Sequence, residues 1–283
     1  MSLFRRETIC ISIETQRAVL VKLGGGRGRE IRADSVVPLA TESSTSGATH
    51  SATHSAILAP LNAALGEPGW RGAHAQVVLS DRLVRYFIFA MPQGVRGRDE
   101  LELLIQARFE EVFGLPAEAW KLVADLDPFA SNILVCAVER AWLDALHKLC
   151  AEHAITIDSI QPFLVSEFNA WRRRIDDKPL WFATVEPGSV TLGFLAKKTW
   201  QSIRLFPLRG SLETELPALI ERDRLYLDMA LPTSRLLCVG THTSDTRLPQ
   251  SPVQAQWLDI AEWPGKPGAW SQAHRIALSG VWQ

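Results

Sequence analysis

The feature that most constrains this chain is a strand, corner, strand pattern that occurs twice. In Ile9–Leu23, Ile9, Ile11 and Ile13 alternate with Cys10, Ser12 and Glu14; after the polar corner Glu14–Arg17, Val19, Val21 and Leu23 alternate again. Apolar residues at every second position mark strands with one buried face, so the stretch reads as a hairpin. The plan restarts later, with Leu180–Val185 as strand, Glu186-Pro187-Gly188 as corner, Val190–Leu195 as strand, Lys197-Lys198 as turn and Thr199–Phe206 as strand. Two such units separated by a lobe's length of chain predict a duplicated α/β fold. The 283 residues are enough for two lobes of roughly 100–200 residues each.

Composition narrows the function classes. Hydrophobic residues at 47% and charged residues at 22% predict a folded chain with a sizeable core. A formal net charge of -1 argues against nucleic acid as the main partner. Cys10, Cys136, Cys150 and Cys238 lie far apart with no Cys-x-x-Cys, which reads as buried free thiols in a reducing compartment. The N-terminal run Met-Ser-Leu-Phe-Arg-Arg-Glu-Thr is unlike a secretory signal, and no stretch approaches the roughly 18 apolar residues of a membrane helix. A cytoplasmic protein is expected.

Between and around the hairpins, the glycine run Gly24–Gly28 reads as a turn, Ile31–Leu39 as a third strand, and Thr41–His54, which includes His50 and His54, as a loop. Ala56–Leu65 reads as a helix, Ala75–Ser80 as a strand, Asp81-Arg82 as a corner and Leu83–Ala90 as a strand. Asp99–Phe113 is an amphipathic helix stopped by Gly114, followed by strands at Trp120–Asp125 and Ile133–Val138 and a helix over Arg140–His153. Ile155–Ile160 is then a strand leading into a helix that ends in Arg172-Arg173-Arg174. A boundary near Ile175–Pro179 divides a first lobe, 1–174, with an inserted strand-helix subdomain around 75–153, from a second lobe, 175–283. In the second lobe Leu212–Leu227 reads as a helix, Arg235–Val239 as a strand ending at Gly240, Ala255–Ala261 as a helix, and Ile276–Trp282 as a last helix or strand.

This order of elements resembles the PilM and GspL branch of the actin-like fold, cytoplasmic proteins of type IV pilus and type II secretion inner-membrane platforms. The residues that carry the resemblance are Ile9–Leu23 and Val185–Phe194 as the two phosphate hairpins and Val78–Pro92 as a strand pair ending in proline. Glu110–Gly114 closes the next helix, Ile157–Ala170 crosses between lobes, and Leu236–Thr241 stands at the adenosine-side glycine turn. The resemblance implies a bilobal actin-like fold of duplicated ribonuclease H-like halves. In nucleotide-binding members each hairpin corner carries Asp, one residue, then Gly, because the carboxylate reaches the metal and glycine lets amides crowd the phosphates. This chain departs from that pattern. Ser12 stands for the first carboxylate, and Glu14 sets a negative group against phosphate, a repulsion worth a few kcal/mol in a partly desolvated site. Ser12, Glu14, Thr15, Glu186, Gly188 and Gly240 therefore form a vestigial nucleotide site, with no catalytic residue, metal or cofactor expected. Glu186-Pro187-Gly188 also has the composition of an ordinary Pro-Gly turn.

The implied function is a non-catalytic scaffold, peripheral to the inner membrane only through its partners: a bitopic protein with a PilN-like cytoplasmic segment, and a secretion ATPase. The alternative is a nucleotide-binding actin-like ATPase or sugar-kinase-like enzyme with Glu186 as its carboxylate, or a nucleotide sensor. Arg17, Arg82 and Arg85 read as scattered surface arginines or as a basic cluster for an acidic peptide or phosphate, and Trp171, Trp181 and Trp200 could line a peptide groove or belong to an aromatic core.

Overall fold

The structure, a computed structural model, describes residues 7–25, 30–39, 50–91, 94, 97–126, 131–227, 235–242, 245–251, 253–258, 272–279 and 281. In chain order, β1 (Thr8–Ile13), β2 (Arg17–Leu23) and β3 (Ile31–Pro38) precede α1 (His50–Leu65) and β4 (His74–Leu79). A 3₁₀ turn at Asp81–Leu83 leads to β5 (Arg85–Ala90), α2 (Arg98–Phe113), β6 (Trp120–Asp125), β7 (Asn132–Glu139) and α3 (Arg140–Glu152). Next come β8 (Thr156–Pro162), α4 (Phe163–Trp171), β9 (Leu180–Glu186), β10 (Ser189–Ala196), β11 (Thr199–Pro207) and α5 (Leu212–Leu227). The last elements are β12 (Arg235–Gly240), β13 (Gln254–Trp257) and α6 (Gln272–Ser279).

The duplication is explicit in the strand order. One sheet runs β3-β2-β1-β4-β8 and the other β11-β10-β9-β12-β13. In both, the first three strands in sequence form an antiparallel meander and the last two add in parallel beside its first strand. A third sheet, β5-β7-β6, is antiparallel throughout. The described residues divide into two compact units, those within Met1–Ser80, Ala141–Ala170 and Ile260–Gln283 and those within Asp81–Arg140 and Trp171–Asp259. The sequence pattern places one boundary near Ile175–Pro179; by contacts the three-stranded sheet instead groups with the second five-stranded sheet, and α6 with the first.

In the first unit β1 is central and its side chains are buried on both faces, as expected of a strand with a parallel neighbour, whereas edge strand β3 alternates. Helix α6 and the residue just beyond its end supply part of the cover: Ala277 and Leu278 of the helix and Val281 after it pack on Cys10, Val19, Val21 and Leu23, and Ile276 packs with Val78 and Phe163. Two polar contacts fix its position. Ser166 and Ser279 share a hydrogen bond of 3.0 Å between their hydroxyls, and His274 Nε2 lies 3.0 Å from Asp34 Oδ2 on β3.

In the second unit every residue of β9 is buried, and Trp181 packs its ring 4.8 Å from that of Phe194. Leu216 and Ile220 of α5 belong to the same core. Trp200 lies over Gly193, where an added methyl group would overlap the indole, so the small residue on β10 makes room for the large one on β11. On the three-stranded sheet, Leu101, Ile105 and Phe109 of α2 pack against Phe87, Trp120, Ile133, Val135 and Ala137. Gly114, at φ 65°, ends α2 with its N–H donated to the Glu110 carbonyl. Asn132 Nδ2 donates to the Trp200 carbonyl at 3.0 Å and to Gln201 Oε1 at 3.1 Å, joining β7 to β11.

Three expectations change. His50 and His54 lie in α1, which starts earlier than the apolar pattern alone indicates. Gln254–Trp257 is a strand rather than the start of a helix at Ala255–Ala261, because it completes the sheet beside β12. The apolar C-terminal piece forms α6 and covers the first sheet rather than the second lobe. Most of Gly24–Gly28, most of Thr41–His54, Pro92 and much of the proline- and tryptophan-rich tail lie outside the described residues.

The β10–β11 turn carries local strain. Lys197 and Lys198 both take positive φ, 51° and 60°, a conformation that two-residue hairpin turns normally give to Asn and Gly. Replacing Lys198 by Gly removes a left-handed penalty of about 1 kcal/mol. The expected outcome is a melting temperature higher by about 2–4 °C in calorimetry.

Candidate functional site

The first hairpin corner is closed by its own side chains. Three residues, Glu14, Thr15 and Gln16, turn between β1 and β2, with the Glu14 N–H donated to the Arg17 carbonyl at 2.9 Å. Glu14 is 3% exposed, and Arg17 Nε donates to both of its carboxylate oxygens, at 2.9 and 3.0 Å. Ser12, two residues before it on β1, is fully buried, and Thr15 is half-buried. Burial raises the Glu14 carboxyl pKa above its ordinary 4.5, while Arg17 and the Ser12 hydroxyl work against the shift. A buried acid bonded to the arginine three residues on leaves the corner with a filled, internally compensated charge. Arg17 is thereby committed within its own hairpin.

The second corner is a two-residue Pro-Gly turn. Glu186 and Ser189 pair across it, Pro187 has its φ set by its ring, and Gly188 takes φ 77°. No atom lies within 4 Å of where a Cβ on Gly188 would stand, so glycine is required there by the backbone angle rather than by a close neighbour. Gly240 is different. It sits opposite Val185 at the end of β12 with φ 121°, and a Cβ would overlap the Val185 carbonyl oxygen. The next amide, Thr241 N–H, donates to that same carbonyl at 2.9 Å. The glycine lets β12 close against β9.

Glu186 belongs to a buried polar cluster that local sequence spacing does not assemble. Its Oε2 accepts the Asp81 N–H at 3.1 Å. Asp81 opens the 3₁₀ turn after β4 and is fully buried; its Oδ1 accepts the Tyr86 hydroxyl at 2.5 Å and its Oδ2 the Thr184 hydroxyl at 2.6 Å. Burial, then the Asp81 charge, pushes the Tyr86 pKa well above 10. Burial also pushes the Cys136 thiol, opposite Tyr86 on β7, up to about 12, with the Asp81 charge adding to it. Neither group is an accessible nucleophile at neutral pH. One signal for this cluster stands in the sequence: Thr184 and Glu186 occupy alternate positions of an otherwise apolar strand, so one face of β9 has to meet polar groups.

Glu186 and Gly240 thus lie in the second unit with Gly188, and Ser12, Glu14 and Thr15 in the first. Among the described residues no group of three or more His, Cys, Asp or Glu side chains could hold a metal ion. Trp181 and Trp200 are core residues of the second unit, while Trp171 is half-buried beneath the Arg174 guanidinium, 5.0 Å from its ring.

The raised pKa of Glu14 makes a signed prediction. Between pH 4.5 and the higher folded value, the folded state binds more protons than the unfolded state, so this contribution to stability is complete below 4.5 and declines as pH rises. Glu14→Gln removes the titration. In urea unfolding, stability of the wild type relative to the variant should fall as pH rises above 4.5, and a rise instead would show that the arginine outweighs burial.

No family model matches the sequence, and no curated protein matches it significantly. Solved structures do match in fold. The PilM–PilN type IV pilus biogenesis complex aligns at 14% identity, covering 97% of this chain and 97% of that one, with a TM-score of 0.68. The cytoplasmic domain of EpsL, an inner-membrane component of the Vibrio cholerae type II secretion system, aligns at 12% identity over 97% and 94% of the two chains, with a TM-score of 0.57. A Bacteroides thetaiotaomicron protein of actin-like ATPase fold and unknown function aligns at 11% identity over 86% and 84%, with a TM-score of 0.56. The doubled five-stranded sheet and these alignments together establish that the chain has the actin-like fold, in a form similar to PilM and to the EpsL cytoplasmic domain.

Proposed function

We propose that this chain is a non-catalytic scaffold of a type IV pilus or type II secretion-like inner-membrane platform. In this reading it is cytoplasmic and held at the membrane by the cytoplasmic segment of a bitopic, PilN-like partner, with a secretion ATPase as a further contact. The observation that carries the reading is the Glu14–Arg17 pair. A buried carboxylate occupies the corner where a nucleotide-binding relative needs open backbone, and its charge is already satisfied at 2.9 and 3.0 Å. The second corner supports it, because Glu186 accepts the Asp81 amide and both Asp81 oxygens are engaged by hydroxyls. A magnesium nucleotide would have to break these contacts and leave buried charges behind, at a cost of several kcal/mol. Among the described residues no helix is long and apolar enough to cross a membrane, so attachment through a partner fits the chain as described.

The test is a titration of the full chain with ATP and magnesium, followed by melting temperature. Nucleotide at a hundred times its dissociation constant would add about 2.7 kcal/mol. The scaffold reading expects no shift at millimolar ATP, together with micromolar binding of a synthetic peptide from the cytoplasmic segment of a PilN-type protein. A shift of several degrees with ATP, lost in Glu186→Gln, would instead establish the nucleotide-binding alternative.

A further inference from the structure

The three-stranded sheet ends in β6, and among the described residues no strand lies beyond it. One face of β6 is covered, with Trp120 in the core under α2 and Leu122 and Ala124 packed against it. The other face presents Lys121, Val123 and Asp125, all exposed, with Val123 at 56%. A free strand edge is a template for pairing, and charged side chains on it normally block that pairing. The two charges on this edge are of opposite sign and symmetrically placed. If two copies of β6 meet antiparallel with Val123 opposite Val123, Lys121 stands opposite Asp125 on both sides of the centre and Leu122 stands opposite Ala124. Opposite charges directly across an antiparallel pair attract, whereas like charges would repel. Neither Lys121 nor Asp125 forms an ion pair within the described residues, and the charge of Asp125 acts only as a minor influence on the Cys136 thiol of β7.

Three of the other edges are less suited. On β3, Asp34 is engaged by His274 and Arg32 by Glu7, and β13 is only four residues long. On β8, the exposed Asp158 is taken by His74 at 2.7 Å.

We propose that β6 is a self-complementary edge that pairs antiparallel with β6 of a second copy of this chain, centred on Val123, joining two three-stranded sheets into one of six. The inference rests on this sheet alone and is independent of the scaffold reading. A pairing of about five residues buries less than the about 1,200 Å² of a stable interface, so the dimer is weak, with a dissociation constant on the order of 100 μM. Attachment of several copies to one assembly would make such a contact effective.

Sedimentation equilibrium on the full chain, from about 10 μM to about 1 mM, tests it. The wild type should self-associate. Lys121→Glu and Asp125→Lys should each weaken association at least about tenfold, since like charges then face each other. An equimolar mixture of the two variants should associate again, because the glutamate introduced in one copy then faces the lysine introduced in the other. Circular dichroism and melting temperature of each variant check that these exposed substitutions leave the fold intact, and rescue in the mixture is a readout that misfolding could not produce. A wild type that stays monomeric throughout, variants that associate as the wild type does, or a mixture that fails to recover would each overturn the proposal.

Discussion

The Asp81 carboxylate is the point on which the second unit's architecture turns. It is fully buried, and a buried charge is tolerated only where its oxygens find donors. Those donors come from two sheets: Thr184 lies on β9 and Tyr86 on β5. The amide of the same residue caps Glu186 at the end of β9. One residue therefore sets the register between a central strand of the duplicated sheet and the three-stranded sheet, with Asn132 making a second tie to β11. Removing either hydroxyl would leave part of a buried charge unsatisfied, which costs more than the hydrogen bond itself stabilises.

The first unit reaches a similar end by a local route. Glu14 and Arg17 lie three residues apart in one hairpin turn and compensate each other there. In both units, then, the acidic residue at the end of the first strand of the hairpin is bonded to the protein's own groups. Both corner acids are thus engaged by groups of this chain, Glu14 by Arg17 and Glu186 by the Asp81 amide. The same logic covers Gly240, whose lack of a side chain serves the approach of β12 to the Val185 carbonyl.

The parts of this architecture visible in the sequence are those written in local periodicity. The two hairpins, the helix stopped by Gly114 and the Lys197-Lys198 turn all follow from alternation or turn chemistry within a dozen residues, and the matching strand orders agree with the duplication read from the hairpins. What was not legible depends on contacts far apart in the chain. Asp81 meets Tyr86 five residues on, but Thr184 and Glu186 lie 103 and 105 residues away, and without them Asp81-Arg82 has the look of an ordinary polar corner. Helix α6 is amphipathic by itself, but which sheet it covers is decided by Cys10, Val19 and Val21 at the opposite end of the chain. Strand β13 is four residues of glutamine, alanine and tryptophan, whose helix-compatible composition is overridden by the free edge of β12.

The claim that the buried Asp81 carboxylate is structural is tested most directly by a double-mutant cycle between Asp81 and Thr184, using Asp81→Ala, Thr184→Val and the double variant in urea unfolding without any ligand. A carboxylate that holds the fold predicts that Asp81→Ala alone loses about 2 kcal/mol or more and that the two changes couple by about 1 kcal/mol or more. A carboxylate kept for a ligand would leave stability unchanged or raised on its removal, with coupling within about 0.3 kcal/mol of zero, and that result would contradict the account.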